Sequence, residues 1–452
     1  MTPFKLSDEL LDNISNLVSD KSDQSLLDLM EEFHYADIAE IIDELSLDEG
    51  TYLIKLLDSE LTSDILTELD EDKREQILNR LSAREIAEEI GELDTDDAAD
   101  IIAELPEERV REIINQIEDP QHAKDIVELL RYDENSAGGL MAKELVKVNE
   151  NWNVLTCVKE MRRQAENVTR VHSIYVVDDN DKLKGRLSLK DLLTTSTKTQ
   201  ISEVYIPKVD YVRVSDKAEE VARLMSKYDL EAVPVIDEID RLVGRITIDD
   251  IIDVIKEEAD RDYQMAAGIT QEVEADDSVW DLTKARLPWL VLGLLGGLGA
   301  VFILEGFEDV MSNPDYRSLF FYTPLIAAMA GNVGVQSSAI IVQGLANDVV
   351  RGSLLERLFK EVSLGLINGL ALSLLVVGFG FVIKQPILVS TTIALSMMAV
   401  IVVAALIGTF VPIILHKKGI DPAIATGPFI TTSNDIFGIF LFFYIAKVIL
   451  GF

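Results

Sequence analysis

The sequence predicts a multi-domain membrane protein in which an α-helical superhelical N-domain and an α/β tandem precede an all-α transmembrane domain of five helices. Three observations carry that expectation: acidic helical repeats before residue 130, two copies of one α/β module at an offset of 59 residues, and five apolar stretches after residue 286. Charge divides the 452-residue chain in the same way. Its formal net charge is −38, yet Asp281 to Phe452 holds 10 acids and 10 bases, so the 69 acids and 31 bases before residue 281 carry the whole imbalance. Such a surface repels nucleic acid and attracts cations or basic segments, so no nucleic-acid partner is expected. The opening "MTPFKLSDELLDNISNLVSD" is acidic and amphipathic rather than a secretory signal, which places the acidic half in the cytoplasm. The lone Cys157 excludes an intramolecular disulfide and suits a buried small hydrophobe.

Residues 1–130 repeat one pattern: "DIAEIIDELS" from Asp37, "EIAEEIGELD" from Glu85 and "DAADIIAELP" from Asp97. Each sets Ile or Ala at helical spacing and ends in Leu before a turn, as stacked helical repeats with a shared core do. Most of the acids read as a solvated face. The cluster Asp94, Asp96, Asp97 and Asp100 is denser than solubility requires.

Residues 131–255 alternate β-rich runs with helices. "YVVDDNDKLKGRLSLKDLL" and "PVIDEIDRLVGRITIDDII" pair Gly185-Arg186 with Gly244-Arg245, Ser188 with Thr247 and Asp191 with Asp250. The order of strand, acidic turn, Gly-Arg, strand, Ser/Thr-x-x-Asp and helix resembles the CBS tandem. In that family the Ser/Thr-x-x-Asp element can hold the ribose of an adenine nucleotide, which makes Ser188, Asp191, Thr247 and Asp250 candidates for ATP. Helix capping is the plainer role for the same residues.

An acidic connecting segment, 256–286, follows. In "DDIIDVIKEEADRDYQMAAG", Asp250, Asp253 and Glu257 share one helix face, where like charges repel unless a divalent cation or basic partner faces them. The spacing lacks the alternating ligands and central Gly of an EF-hand, and hard, partly hydrated Mg²⁺ held by carboxylates from several elements fits better.

Residues 287–452 form the membrane domain, with apolar stretches at Leu287–Leu304, Leu319–Leu345, Val362–Ile383, Leu388–Leu415 and Ala423–Leu450. Each approaches the roughly 20 residues that a spanning helix needs. With the N-terminus inside, cytoplasmic flanks collect Lys284, Arg286, Arg351, Arg357, Lys360, Lys417 and Lys418, against Arg317, Lys384 and Lys447 outside. That excess agrees with inward accumulation of bases and puts the C-terminus outside. Five spans cannot form two equal inverted repeats, so a pathway through the bilayer needs two chains. The second span holds "AGNVGVQSS", whose small and amide side chains suit close helix packing or a polar path. The fifth follows "KKGIDPAIATGPF", where Pro422 and Gly427-Pro428 break helix regularity. Inside it, Asn434 and Asp435 interrupt an apolar run. A carboxylate at that depth faces water or a counter-charge, and the spans offer no base at comparable depth, so a mobile cation is the expected partner.

Taken together, the order of parts resembles the MgtE family of bacterial magnesium channels, through "RLVGRITIDDIIDVI", "GNVGVQS" and "DPAIATGPFITTSND". The likeness covers nearly the whole chain. It implies a homodimer in the cytoplasmic membrane passing hydrated Mg²⁺ along the dimer axis, with Asp435 as selectivity carboxylate and Asn332 and Asp421 along or near the path. It further implies a cytosolic Mg²⁺ sensor that closes the pore, with ligands among Asp96, Asp100, Glu219, Asp229, Asp250, Asp253, Glu258 and Asp262. Asp250 thereby has two competing assignments, ATP and Mg²⁺. Val335 stands where the family motif resembles Gly-Asn-x-Gly-Asn-Gln, a departure that bears on how water is held around the ion. Two other readings remain open at this point: a divalent-cation exchanger coupled to Na⁺ or H⁺, and a membrane-tethered nucleotide sensor. Enzyme activity is not expected, because no phosphate-binding Gly-Lys-Ser/Thr loop is present and His34, His122, His172 and His416 form no ligand spacing.

Overall fold

The computed structural model describes residues 4–451 except 166, 167, 169, 272, 276, 347–349, 351 and 426, so Arg351 of the cytoplasmic flank and Thr426 lie outside the described residues. It falls into two compact units, Met1–Lys256 and Glu257–Phe452.

The first unit begins with short helices: α1 (Asp8–Ser19), α2 (Asp23–Met30), α3 (Tyr35–Glu44), α4 (Leu47–Leu56), α5 (Ser59–Glu68), α6 (Glu71–Leu78), α7 (Ala83–Ile90), α8 (Thr95–Ala103), α9 (Glu107–Ile114) and α10 (Pro120–Leu129). The expected periodicity is what they bury: Ile38, Ala39, Ile41 and Ile42 in α3, Ile86, Ala87 and Ile90 in α7, and Ala98, Ala99, Ile101 and Ile102 in α8. Ser46 with Glu49, and Ser82 with Glu85, form capping boxes that satisfy the first free N–H groups of α4 and α7. Polar caps thus fix where each helix starts, and the apolar stripe fixes which face turns inward.

The tandem gives two three-stranded sheets of the same topology. In the first, β1 (Val146–Asn149) runs parallel to β2 (Ile174–Val177), which is antiparallel to β3 (Leu183–Leu187); α11 (Val154–Gln164) joins β1 to β2 and α12 (Leu189–Thr194) follows. In the second, β4 (Val212–Arg213), β5 (Ala232–Ile236) and β6 (Leu242–Thr247) repeat the order, with α13 (Ala218–Tyr228) between β4 and β5 and α14 (Ile248–Ala267) at the end. Both carry a register irregularity at the matched step, Val176/Val177 and Val235/Ile236. The copies differ in what they pack on. Val212, Val233, Val235 and Ile246 share one core with the helical repeats, whereas Val146, Val148, Ile174, Val176 and Cys157 form a smaller core of their own. Burial pushes the Cys157 thiol up to about 11, leaving it un-ionised and inert.

The second unit contains five helices long and apolar enough to cross a membrane, among its described residues. They are α15 (Val279–Glu305), α17 (Thr323–Ala346), α18 (Leu354–Val382), α19 (Ile387–Lys417) and α20 (Gly427–Leu450), with the short α16 (Glu308–Ser312) after the first. The first begins earlier than its apolar core because Ser278 caps it ten residues before Pro288, accepting from Asp281 N–H. Helix α17 packs against α19 and α20, α18 against α19, and α15 against α20. The backbones approach closely where side chains are smallest: a Cβ on Gly408 would overlap the Gly334 carbonyl, and one on Gly334 would overlap the Asn434 amide. Gly427 opens α20 at φ +52°, and a Cβ there would overlap the carbonyl of Ala266 near the end of α14. Glycine takes that left-handed conformation without strain, and its missing Cβ leaves room for the contact.

Candidate metal sites at the acidic junction and in the membrane

The N-terminus of α8 presents Asp94, Asp96, Asp97 and Asp100 because the helix begins on an acidic run and cannot bury Ala98, Ala99, Ile101 and Ile102 without turning its first turn toward the second α/β copy. Glu144 and Arg245 meet it there. Arg245, 4% exposed, donates from Nη2 to Asp94 Oδ2 at 3.0 Å and from Nε to the Glu144 carbonyl. Glu144 Oε2 accepts from Thr95 N and Oγ1 at 3.2 and 2.8 Å. Ligand oxygens of Asp94, Asp96 and Glu144 lie within 4.8 Å of one another. Opposite oxygens around Mg²⁺ stand about 4.2 Å apart at its ~2.1 Å bond length, so this all-oxygen set suits a hard divalent cation.

Electrostatics of the junction point the same way. Asp96 is buried, its Oδ1 has no hydrogen-bond partner, and burial with the charges of Asp97, Asp250, Asp94 and Glu144 raises its pKa well above the ordinary range. Burial and then Asp250 push Asp97 up to about 7. Asp100, at the rim, is pushed to about 7 by the surrounding protein and then by Glu134 and Asp250. Asp250 rises to about 6, with burial outweighing the bonds its Oδ2 accepts from Thr247 N (2.9 Å) and Oγ1 (2.7 Å). Burial first, and then crowding, thus makes Asp96, Asp97, Asp100 and Asp250 hold protons more readily than free carboxyls; a bound cation would favour their carboxylate forms.

The remaining sensor candidates are dispersed. Glu219 on α13 is exposed and ion-paired with Arg223, Asp229 is the exposed left-handed C-cap of α13, and Asp253 is exposed on α14. Glu258 binds Arg261 at 3.1 Å, and Asp262 is half-buried. For the nucleotide candidates the two copies diverge: Thr247 and Asp250 bond each other, while Ser188 sits at the N-cap of α12 with no side-chain cap bond and Asp191 is half-buried.

In the membrane unit, Asp435 is half-buried on α20, and a Cβ built on Gly331 of α17 would stand 3.4 Å from its Oδ1. On that same helix α17, Asn332 and Gln336, one helical turn apart, are exposed. Asn434 turns the other way, 1% exposed, with neither amide atom hydrogen-bonded. Asp421 is exposed and accepts from Ala423 N at 2.8 Å, capping the turn Pro422–Ala425.

Comparison with known proteins bears on the whole chain. A family profile described as "Divalent cation transporter" matches residues 323–445, one described as "MgtE intracellular N domain" matches 33–135, and the CBS domain matches 137–197 and 201–257. A magnesium transporter MgtE of Thermus thermophilus is 38% identical over 325 residues, covering 71% of this chain and 72% of that one. The chain belongs to the MgtE family. A Bacillus subtilis magnesium transporter MgtE is 34% identical over 319 residues, 70% of each chain. The crystal structure of the cytosolic domain of the Mg²⁺ channel MgtE in complex with ATP matches 54% of this chain and 99% of its own, at 35% identity and TM-score 0.50. Membership places the chain among multi-pass transporters rather than enzymes.

Within this MgtE chain, sequence reading missed two participants at the junction. Arg245 was visible only as a repeat match, and Glu144 stood alone between β1 and the helical repeats. What could have found Arg245 is its pairing with Arg186: the same Gly-Arg in both copies, with a dense acidic cluster available to just one of them.

Proposed function

We propose that the chain is a homodimeric Mg²⁺ channel that admits magnesium across the cytoplasmic membrane and is closed by cytosolic Mg²⁺. The observation that carries this reading is the half-buried Asp435 set against Gly331 of α17, the same helix that exposes Asn332 and Gln336. Exposed amides and a carboxylate are costly against lipid, and a second copy facing them would enclose a wet path instead. Mg²⁺ sheds water reluctantly, so Asn332 and Gln336 would bond its hydration shell while Asp435 supplies the balancing charge. Val335, as a side chain without hydrogen-bonding atoms, leaves that shell with one polar contact fewer than an Asn would give.

The regulatory part of the reading rests on Asp94, Asp96 and Glu144, ringed by Asp97, Asp100 and Asp250. Mg²⁺ there would replace repulsion and bound protons with attraction, holding the helical repeats on the second CBS copy. Glu219, Asp229, Asp253, Glu258 and Asp262 would serve where the second chain brings further carboxylates to them. Adenine nucleotide is assigned to the CBS pair by likeness to a relative crystallised with ATP; Asp250 then links nucleotide and cation, since its carboxylate belongs to both groups. The N-terminus is cytoplasmic and the C-terminus external in this reading.

The test is single-channel recording from reconstituted protein with Mg²⁺ on the external side. Unitary currents that millimolar internal Mg²⁺ suppresses and Asp435→Ala abolishes are expected. Mg²⁺ flux without unitary currents would overturn the channel in favour of an exchanger.

A further inference from the structure

A second carboxylate lies within the spans, unused by the path described above. Glu361 is seven residues into α18, about 10 Å from its cytoplasmic end at 1.5 Å per residue. Its Oε2 accepts a hydrogen bond from Ser337 Oγ of α17 at 3.1 Å. Ser337 is buried, at 7% exposure, and stands about 140° around α17 from Asn332. One face of the second span therefore carries Asn332 and Gln336 outward, and the face behind it is tied to the third span.

The surroundings explain why the tie reaches. Gly365, one turn along α18, lies against Val402, and Gly369 lies against Met398, so α18 is pressed onto α19 just beyond Glu361. On the other side of α19, a Cβ on Gly408 would stand 3.1 Å from Ser337 Cβ. Three helices thus converge on the Glu361–Ser337 bond. Ser337 has no need of a carboxylate to be satisfied, because a helical serine can bond the carbonyl one turn back. A leucine at 361 would pack at less cost than an ionisable side chain at this depth. What the acid adds is an orientation for α17.

We propose that Glu361 is a positioning residue for permeation: through Ser337 it fixes the rotation of the second span and so the direction in which Asn332 and Gln336 meet the ion. The proposal rests on the channel reading above. It is tested with full-length protein in liposomes by measuring the Mg²⁺-to-Ca²⁺ permeability ratio of Glu361→Leu, Glu361→Gln, Ser337→Ala and the Glu361→Leu/Ser337→Ala pair. Glu361→Leu is expected to lower the ratio about tenfold and Ser337→Ala about threefold, with Glu361→Gln, which keeps the acceptor oxygen, within about twofold of wild type. The pair should be no worse than Glu361→Leu alone, because both remove one bond. Elution and melting in detergent establish that each variant folds, and if Glu361→Leu does not, Ser337→Ala and Glu361→Gln still decide. A wild-type ratio in Glu361→Leu or Ser337→Ala, an equal loss in Glu361→Gln, or additive effects in the pair overturns the proposal. Normal current from Asp435→Ala would instead overturn the channel reading beneath it.

Discussion

Around α8, five aspartates and Glu144 stand within one another's fields, and burial together with those neighbours raises several of them: Asp97 and Asp100 reach about 7 and Asp250 about 6. Asp435 instead faces Gly331, with Thr431 one turn before it, on helices whose contacts are fixed by Gly334 and Gly408. A crowd of acids responds by degrees, because removing one lets the others readjust. A lone acid in a span has no substitute. The first arrangement suits sensing over a range of concentration, and the second suits a step that every passing ion must take.

That contrast breaks most visibly at Asp435. Asp435→Ala should cut Mg²⁺ current by ~100-fold or more, from the several kcal/mol that a charge at this depth is worth to a divalent ion, whereas no single junction aspartate should reduce open-channel current. Next in size, Gly334→Ala should destabilise the protein by about 1–3 kcal/mol through overpacking against Asn434, read as a lower melting temperature in detergent. At the junction, Asp96→Asn with Asp97→Asn should raise the melting temperature at pH 8 without Mg²⁺ and shift closure to roughly threefold higher Mg²⁺, the size of a modest coupling between sites. A loss of closure as complete as the loss of current in Asp435→Ala would erase the distinction.

The pH dependence sharpens the same point. Asp97, Asp100 and Asp250 have folded pKa values raised from 3.8 to about 7, 7 and 6, so between about 4 and 7 the folded state holds more protons than the unfolded one. Their contribution favours folding at low pH and is lost as pH rises through that window. Melting of the Mg²⁺-free protein should therefore occur at higher temperature at pH 5.5 than at pH 8, and saturating Mg²⁺ should narrow the gap. The smallest effect separates the two CBS copies: Thr247→Ala should cost about 1 kcal/mol through its lost bond to Asp250, and Ser188→Ala, with no cap bond, less than about 0.5 kcal/mol.

Fold and site were legible to different depths. The helical repeats, the doubled α/β unit and the spans follow from periodicity, because burial acts on every third or fourth residue of a helix and leaves its mark locally. The acidic density at Asp94 to Asp100 was equally local. Its completion by Glu144 and Arg245 was not, since those residues arrive from loops and strands that no spacing rule connects to α8. Asp421 was less legible: the resemblance sets it along or near the path, and the bond its side chain accepts from Ala423 N could be found only in the fold. Glu361 hid among Glu356, Arg357 and Lys360, where a charged residue near a span's cytoplasmic end passes for a flank. Its bond to Ser337 shows the carboxylate turned inward.

The contact between Gly427 and the Ala266 carbonyl has a mechanical meaning. With no side chain between them, the end of α14 bears directly on the first turn of α20, and Asp435 lies eight residues further along the same unbroken helix, about 12 Å away. A helix is stiff along its axis, so there is no cushion in that stretch to absorb a push. A push on Ala266 along the axis of α20 would reach that charge with little loss on the way, and a methyl group added at 427 would first have to drive the Ala266 carbonyl aside.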